Sequence, residues 1–533
     1  MNLLIVQELN RIAKEFGFEE NCFVVSKPAN KDFGDFSTNM ALVIAKKNKE
    51  NPNESAKKIV DKFIKENAFV KEISIVAPGF INFYLVDEYY ANIVQKIITE
   101  GADYGKAKSD LHYNLEFVSA NPTGFLHVAH ARGAALGDSL GNIFNHVGIK
   151  VTREYVINDA GSQIGMLAYA SFVRYQQLFG KEIELPEESY HGQDIVWGAE
   201  RIKEQIGDKW LDVKYEDIEE GMKDLAVAIM LERIKVDMKS MNVEFEIYFS
   251  EKSLHKDNII PDKLKEIDGV IVKDGATWLN TTKYGDDKDR VLIKQDGSYT
   301  YFLPDIIYHN IKIGRDKNIS KLINIWGADH SGYIKRMEIA MELMGHKDKL
   351  EIIVLQLVKL LKNGEELKMS KRKGTSLYLS ELIKQVGIDT ARFFLVNRSA
   401  NSQIDFDLDL ASMKTNDNPV FIVQYAYART QQLINKSTIT KFDKFSYSEK
   451  KEKEIIGMLE QFPSLLKQIS ENNKVHLLPQ YLINLAKEFN SFYSNSKILG
   501  NIKEIELLTL VKACGIVIKL GLSLLGVNAP ERM

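Results

Sequence analysis

Asn114-Leu115-Glu116-Phe117-Val118, then Ser119-Ala120-Asn121-Pro122-Thr123-Gly124, then His127-Val128-Ala129-His130 is the stretch that decides the fold. The first five residues alternate and are β-prone, the next six are turn formers, and apolar residues recur at helical spacing over 131–147. The spacing therefore predicts strand, loop and helix, with His127 and His130 at the helix N-terminus. Unpaired backbone N–H groups and the helix dipole favour an anion there. A second signature far along the chain, Lys368-Met369-Ser370-Lys371, adds mobile ammonium groups. His-x-x-His alone is weak, because ten histidines in 533 residues give such a pair by accident in roughly one chain in six. The two signatures together, around that strand and helix, point to carboxylate attack on the α-phosphate of a nucleoside triphosphate. Imidazole and ammonium donors stabilise the charge that such attack spreads over phosphate oxygens.

On the C-terminal side a strand at 150–156 and a helix at 164–179 continue the pattern, which is the βαβ signature of a parallel sheet. The acidic, Lys-rich text at 182–280 reads as an insertion into that sheet. Tyr299-Thr300-Tyr301-Phe302-Leu303-Pro304-Asp305 resumes it, and a strand at 321–326 ends at Gly327-Ala328-Asp329-His330. A glycine and a carboxylate just after a strand suit close approach to a nucleotide and a ribose hydroxyl contact. On the N-terminal side, residues 1–105 read as a small α+β unit. It has helices at 3–16 and 54–66, another starting at 34–39, and a hairpin over 73–85 turning at Pro78-Gly79. After Asp409 the text is helical, at 420–436, 447–470, 477–496 and 504–525. Leu478, Tyr481, Leu482, Leu485, Phe489 and Phe492 form one apolar stripe, read as bundle core. The expected fold is thus α/β: a parallel-sheet catalytic domain (106–409) with its insertion, after a small α+β domain (1–105) and before an all-α bundle (410–533).

A chain of 533 residues exceeds one hydrophobic core, and 45% apolar with 27% charged residues is ordinary for a soluble protein. Cys22 and Cys514 are its two cysteines, which excludes a disulfide framework and a Cys-rich zinc site and suits a reducing, cytoplasmic setting. No structural metal is expected. Glu8 and Arg11 come too early for a signal peptide, and the apolar run 515–527 is short and interrupted by Lys519, so no membrane span is expected. A net charge of −3 neither invites nor excludes nucleic acid.

Over nearly its whole length the chain resembles the bacterial arginyl-tRNA synthetases, class I aminoacyl-tRNA synthetases. The resemblance rests on residues 116–124 leading into His-x-x-His, on Phe406-Asp407-Leu408-Asp409-Leu410, Asn418-Pro419-Val420 and Val423-Gln424-Tyr425-Ala426, and on the terminus Ala529-Pro530-Glu531-Arg532-Met533. Gly34-Asp35-Phe36 and Pro78-Gly79-Phe80-Ile81-Asn82-Phe83 extend it to the opening domain. It implies a Rossmann-like catalytic domain that activates L-arginine with ATP, as its Mg2+ complex, to an adenylate. Transfer to the 2′-hydroxyl of the terminal adenosine of tRNA(Arg) follows. It also implies a tRNA-contacting N-terminal domain, an anticodon-binding bundle and a monomer.

Residue by residue, the resemblance assigns catalysis to His127, His130, Lys368 and Lys371. It assigns ATP binding to these histidines with Ala129, Gly327, Asp329, His330, Met369, Ser370 and Lys371. Arginine binding falls on Glu116, Ser119, Asn121, His130, Tyr301 and Asp305, and tRNA binding on Tyr425, Arg429 and Met533. The chemistry suits the label, because a guanidinium is a rigid fork of donors that carboxylates match. Without the family, Glu116 reads equally as a surface carboxylate and Asp305 as a helix cap. A cysteine-specific relative would need a thiolate zinc site, and a glutamate-specific one an arginine facing the substrate. Two residues depart from the family pattern: Ala129 stands where glycine is usual, and Tyr427 where many relatives carry histidine. The second signature is intact, and Gly124 occupies the place of the lysine that substitutes for it in other arginyl enzymes.

Overall fold

The computed structural model describes residues 3–28, 30, 33–256, 258–367, 377–438 and 446–533. At the N-terminus α1 (Leu3–Glu15) buries Ile5, Leu9 and Ile12 at a spacing of three and four. Four antiparallel strands accompany it: β1 (Val25–Ser26), β2 (Phe36–Thr38), β3 (Val70–Val76) and β4 (Phe80–Leu85), in the order β1-β2-β4-β3. Between β2 and β3 lie α2 (Met40–Asn48) and α3 (Pro52–Lys62). The latter starts two residues before the periodicity predicts, because Asn51 caps it, accepting from the Asn53 amide, and Pro52 fits the first turn. From there α4 (Asp87–Glu100) leads to the central sheet.

That sheet begins with β5 (His112–Glu116), α5 (Val128–His146) and β6 (Lys150–Ile157). Helices α6 (Ser162–Gln177), α7 (Gln193–Ile206) and α8 (Tyr215–Ser240) follow, and then β7 (Ile247–Ser250). Beyond α9 (Ile259–Leu264) come β8 (Val270–Lys273), β9 (Ala276–Leu279) and β10 (Arg290–Ile293), a small antiparallel sheet of its own. The unit closes with α10 (Phe302–Gly314), β11 (Ile319–Gly327), α11 (Ile334–Leu343) and β12 (Leu350–Leu355). Its five strands run parallel in the order β12-β11-β5-β6-β7. Strand order reverses between β5 and β11, and in such sheets the ligand crevice opens there, at the carboxyl ends.

Residues 182–280 are therefore not one insertion. β7, inside that range, is an edge strand of the main sheet; four residues flanked by long charged helical text carry too short an alternation to be seen. The strand read over 114–118 ends at Glu116, since Val118 and Ser119 take φ of 68° and 38°. Left-handed backbone at a β-branched residue is strained, and such strain concentrates at functional sites. α5 starts three residues before its apolar pattern, at the His127 cap. Gly133, Gly137 and Gly141 then repeat every fourth residue along it; a Cβ at Gly137 would overlap the buried Phe117 ring, and one at Gly141 the Arg153 guanidinium. Gly137→Ala gains about 1 kcal/mol of helix propensity but overpacks an immobile ring. The expected net loss is about 1–2 kcal/mol, read as a lowered urea midpoint.

The chain continues through β13 (Val358–Lys362), β14 (Glu365–Glu366), α12 (Leu379–Val386), α13 (Ile388–Val396), β15 (Ile404–Asp407) and α14 (Leu408–Ser412). The bundle comprises α15 (Pro419–Lys436), α16 (Lys450–Leu459), α17 (Phe462–Asn472), α18 (Leu477–Asn495) and α19 (Glu504–Leu524). One helix over 447–470 was expected; the break before α17 follows from Pro463, which lacks an N–H and is tolerated only in a first turn. On α18 the stripe Leu478, Leu482, Leu485, Phe489 and Phe492 is buried as read. Contrary to expectation, α19 is long and apolar enough to cross a membrane, yet 78% of that window is buried, packed against α4, α15 and α18. Bundle and sheet meet at Arg392, fully buried, which donates to Asp138 of α5 at 2.6 Å, to the Leu525 carbonyl at 2.8 Å, and to the Met241 carbonyl.

Candidate active site

The first group of predicted residues is built by the start of α5. The His127 backbone N–H donates to His130 Nδ1 at 3.1 Å, so a neutral His130 carries its proton on Nε2. The His127 ring lies at 19° to that of Tyr378, 5.3 Å away, and these two residues form a β-bridge. The Leu379 amide donates to the Leu126 carbonyl at 2.8 Å, fixing the same junction. Lys368, Met369, Ser370 and Lys371 lie outside the described residues; Tyr378 comes two residues after the last undescribed position and rests on the first signature. Ala129 is exposed in the first turn. On the neighbouring strand, Gly327 ends β11, and a Cβ there would overlap the Asp329 carboxylate. Asp329 and His330 follow, both exposed, 3.5 Å apart.

A second group of predicted residues lies where β5 meets α10. Glu116, 6% exposed, receives the ammonium of Lys312 on Oε2 at 2.7 Å and the Tyr308 hydroxyl on the same oxygen at 3.3 Å. The Ser119 hydroxyl donates to Oε1 at 3.4 Å and accepts from the Val156 amide at 3.1 Å, a reach the left-handed turn allows. Asp305 stands in the first turn of α10, exposed to solvent. Its carboxyl is pushed up to about 7 by desolvation and by repulsion from Glu251 and Glu116, with the Tyr333 hydroxyl opposing. Solvent access tempers the desolvation part; the upward direction is what matters to the chemistry. Glu251 is itself pushed up, by burial and by Asp159. Carboxylates that repel one another are relieved by a cation between them.

The other residues read from the sequence fall as follows. Asn121 bridges α6 and its preceding loop, donating to Gln163 at 2.7 Å and accepting from Asn158 at 2.6 Å, on the rim rather than the floor. Tyr301 is 79% exposed, at the lip of a 260 Å³ cavity shared with Phe302, Tyr333 and Arg336. In the bundle Arg429 lies between two rings, 4.3 Å from the centre of Tyr425 and 4.6 Å from that of Tyr493, and donates to Asn490 at 2.9 Å. Tyr425 also stacks on Phe421. Met533 is half-exposed at the terminus, whereas Tyr427 is 2% exposed and belongs to the core. Sequence reasoning missed Lys312, Tyr308, Asn324, Glu251, Tyr333 and Tyr378. Two signals were available: polar residues at positions 305, 308, 309 and 312 share one face of an apolar helix, and Asn324 interrupts the apolar strand Leu322-Ile323-Asn324-Ile325.

A five-stranded parallel sheet with a His-x-x-His helix at its switch point fits a class I aminoacyl-tRNA synthetase. The family model described as "tRNA synthetases class I (R), catalytic domain" matches residues 93–413. The "Arginyl tRNA synthetase N terminal domain" matches 1–85 and the "DALR anticodon binding domain" 423–533. The chain is 50% identical over 509 residues to the arginine–tRNA ligase of Mycoplasma mobile, covering 94% of both chains. To that of Bacillus cereus it is 41% identical over 526 residues, covering 96% of this chain and 94% of the other. The arginyl-tRNA synthetase structure from Thermus thermophilus, at 21% identity, covers both chains completely with a TM-score of 0.76 and shares the fold. The chain belongs to the arginyl-tRNA synthetase family. Its activity is arginine–tRNA ligation: L-arginine and ATP form arginyl-adenylate and pyrophosphate, and arginine passes to the 3′-terminal adenosine of tRNA(Arg).

Proposed function

We propose that the cleft divides the first half-reaction among three groups of residues. Asp305 and Glu116 hold the substrate guanidinium, with Ser119, Asn121, Tyr301 and His130 around the rest of the amino acid. Gly327, Asp329 and His330 hold the adenosine, and Ala129 leaves its methyl on the open side of the first turn. As an arginine carboxylate oxygen bonds to the α-phosphorus, the bond to the bridging oxygen breaks and pyrophosphate departs with its electrons. His127, His130 Nε2–H, Lys368 and Lys371, with Met369 and Ser370 beside them, donate to the oxygens where charge gathers. Mg2+ enters bound to the ATP phosphates, as hard oxygen donors favour.

The observation that carries this reading is that Glu116 ends β5 and Asp305, in the first turn of α10, stands near enough for the two carboxylates to repel, an arrangement that a bound cation relieves. The half-exposed Tyr425–Arg429 face and Met533 serve as tRNA contacts, aromatic and guanidinium planes being suited to unpaired bases. We divide the chain at 1–105, 106–409 and 410–533, and place it in the cytoplasm as a monomer. Pyrophosphate exchange with each of the twenty amino acids, with and without tRNA, tests the reading. Arginine alone supports exchange in this account, and equal exchange with glutamate or lysine overturns it.

A further inference from the structure

Lys312 is a buried cation that neither half-reaction employs. It lies on α10 seven residues after Asp305, on the same face, and is fully shielded from solvent. Its ammonium sits 2.7 Å from Glu116 Oε2 and 2.9 Å from Asn324 Oδ1, and 5.2 Å from the centre of the Tyr308 ring. Asn324, equally buried, donates from Nδ2 to His309 Nε2 at 2.9 Å, and His309 Nδ1–H donates to the Asp305 carbonyl at 2.7 Å. Burial and the nearby Lys312 draw His309 down to about 4, so its ring is neutral and can accept on one nitrogen while donating from the other. Each residue in this line donates to the next. It runs unbroken from the Asp305 backbone to the Glu116 carboxylate, tying the two expected guanidinium acceptors together.

Glu116 therefore enters the cleft with one oxygen engaged. Oε2 serves Lys312 and Tyr308, whereas among the described residues Oε1 has the long Ser119 contact alone and can take a substrate. We propose that Lys312 is a positioning residue that sets amino-acid specificity, its ammonium filling the place on Glu116 that a substrate ammonium would take. This rests on the reading of Glu116 and Asp305 as guanidinium acceptors. Arginine spans both, one arm of the fork on Glu116 Oε1 and the other on Asp305. Lysine, a single point charge, cannot span both acceptors, and on Glu116 it would sit beside an ammonium identical to its own.

The test is exchange kinetics with arginine and with lysine, tRNA present, for the full chain and for Lys312→Met. The ratio of kcat/KM for arginine over lysine falls by about tenfold or more, with lysine activation rising in absolute terms. A merely structural Lys312 lowers both substrates together and leaves the ratio unchanged, which overturns the proposal. Should Lys312→Met fail to fold, leaving Glu116 unpaired, Lys312→Gln keeps a donor for Asn324 and is expected to shift the ratio the same way. The double variant Glu116→Gln with Lys312→Met, which has no unpaired carboxylate, restores rejection of lysine; continued lysine activation there overturns the proposal. Asp305→Asn, measured alongside, reports on the underlying reading: an unchanged arginine constant defeats that reading, while a raised one with an unchanged ratio in Lys312→Met defeats this proposal alone.

Discussion

Asp305→Asn is expected to raise the Michaelis constant for arginine by roughly 30- to 150-fold and that for ATP by less than about twofold. The amide keeps the size of the carboxylate but removes its charge and turns one oxygen into a donor that opposes the guanidinium N–H. Losing one partner of a close charge pair costs about 2–5 kcal/mol when the pair is dry. Solvent reaches Asp305, so the lower part of that range, about 2–3 kcal/mol, is appropriate. With the proposed guanidinium acceptor on α10 and the proposed adenosine contacts at the end of β11, the two constants are expected to separate. An unchanged arginine constant would return Asp305 to the role of a first-turn acidic residue on α10.

Lys371→Ala is expected to slow adenylate formation by about 2–4 kcal/mol in barrier, the scale found for removing one preorganised donor to a developing oxyanion. Affinity for tRNA stays at the parental value, since the lysine acts on phosphate oxygens as charge develops. The segment 368–376 lies outside the described residues, but Tyr378, just beyond it, stacks on His127. That contact brings the second signature's flank to the first. Pyrophosphate exchange and tRNA binding, measured on one preparation, check the split. A variant with full exchange activity would remove Lys371 from the mechanism.

Much of this was legible because the informative features are local. The strand–turn–helix at 114–147 shows itself through alternation, turn residues and apolar spacing, all short-range properties. Its ends were misplaced for reasons that a pattern does not carry: a left-handed turn at Val118 and Ser119, and a cap at His127 that starts the helix early. β7 was lost because a four-residue strand owes its existence to β6 beside it. The break before Pro463 was written in the sequence and read through. Within the candidate site, Glu116 and Asp305 were assigned by resemblance. Lys312 and Asn324 were not, since their significance is a contact between α10, β11 and β5 that exists only after folding. Tyr301 and Asn121, by contrast, sit at the lip and rim, where sequence gives no sense of depth.

The central claim is that an ionised Asp305 carboxylate receives the arginine side chain, and its raised pKa makes the claim measurable. Arginine keeps its guanidinium charge throughout, so binding requires the ionised carboxylate and is complete only above the group's pKa. The expected result of titrating arginine into the protein with tRNA present, from about pH 5.5 to 8.5, is an affinity constant above about pH 8 that weakens as pH falls through about 7, approaching tenfold per unit. In Asp305→Asn the same titration gives weak binding without that limb. A parental affinity flat across the range, or a limb that survives in Asp305→Asn, would contradict the account.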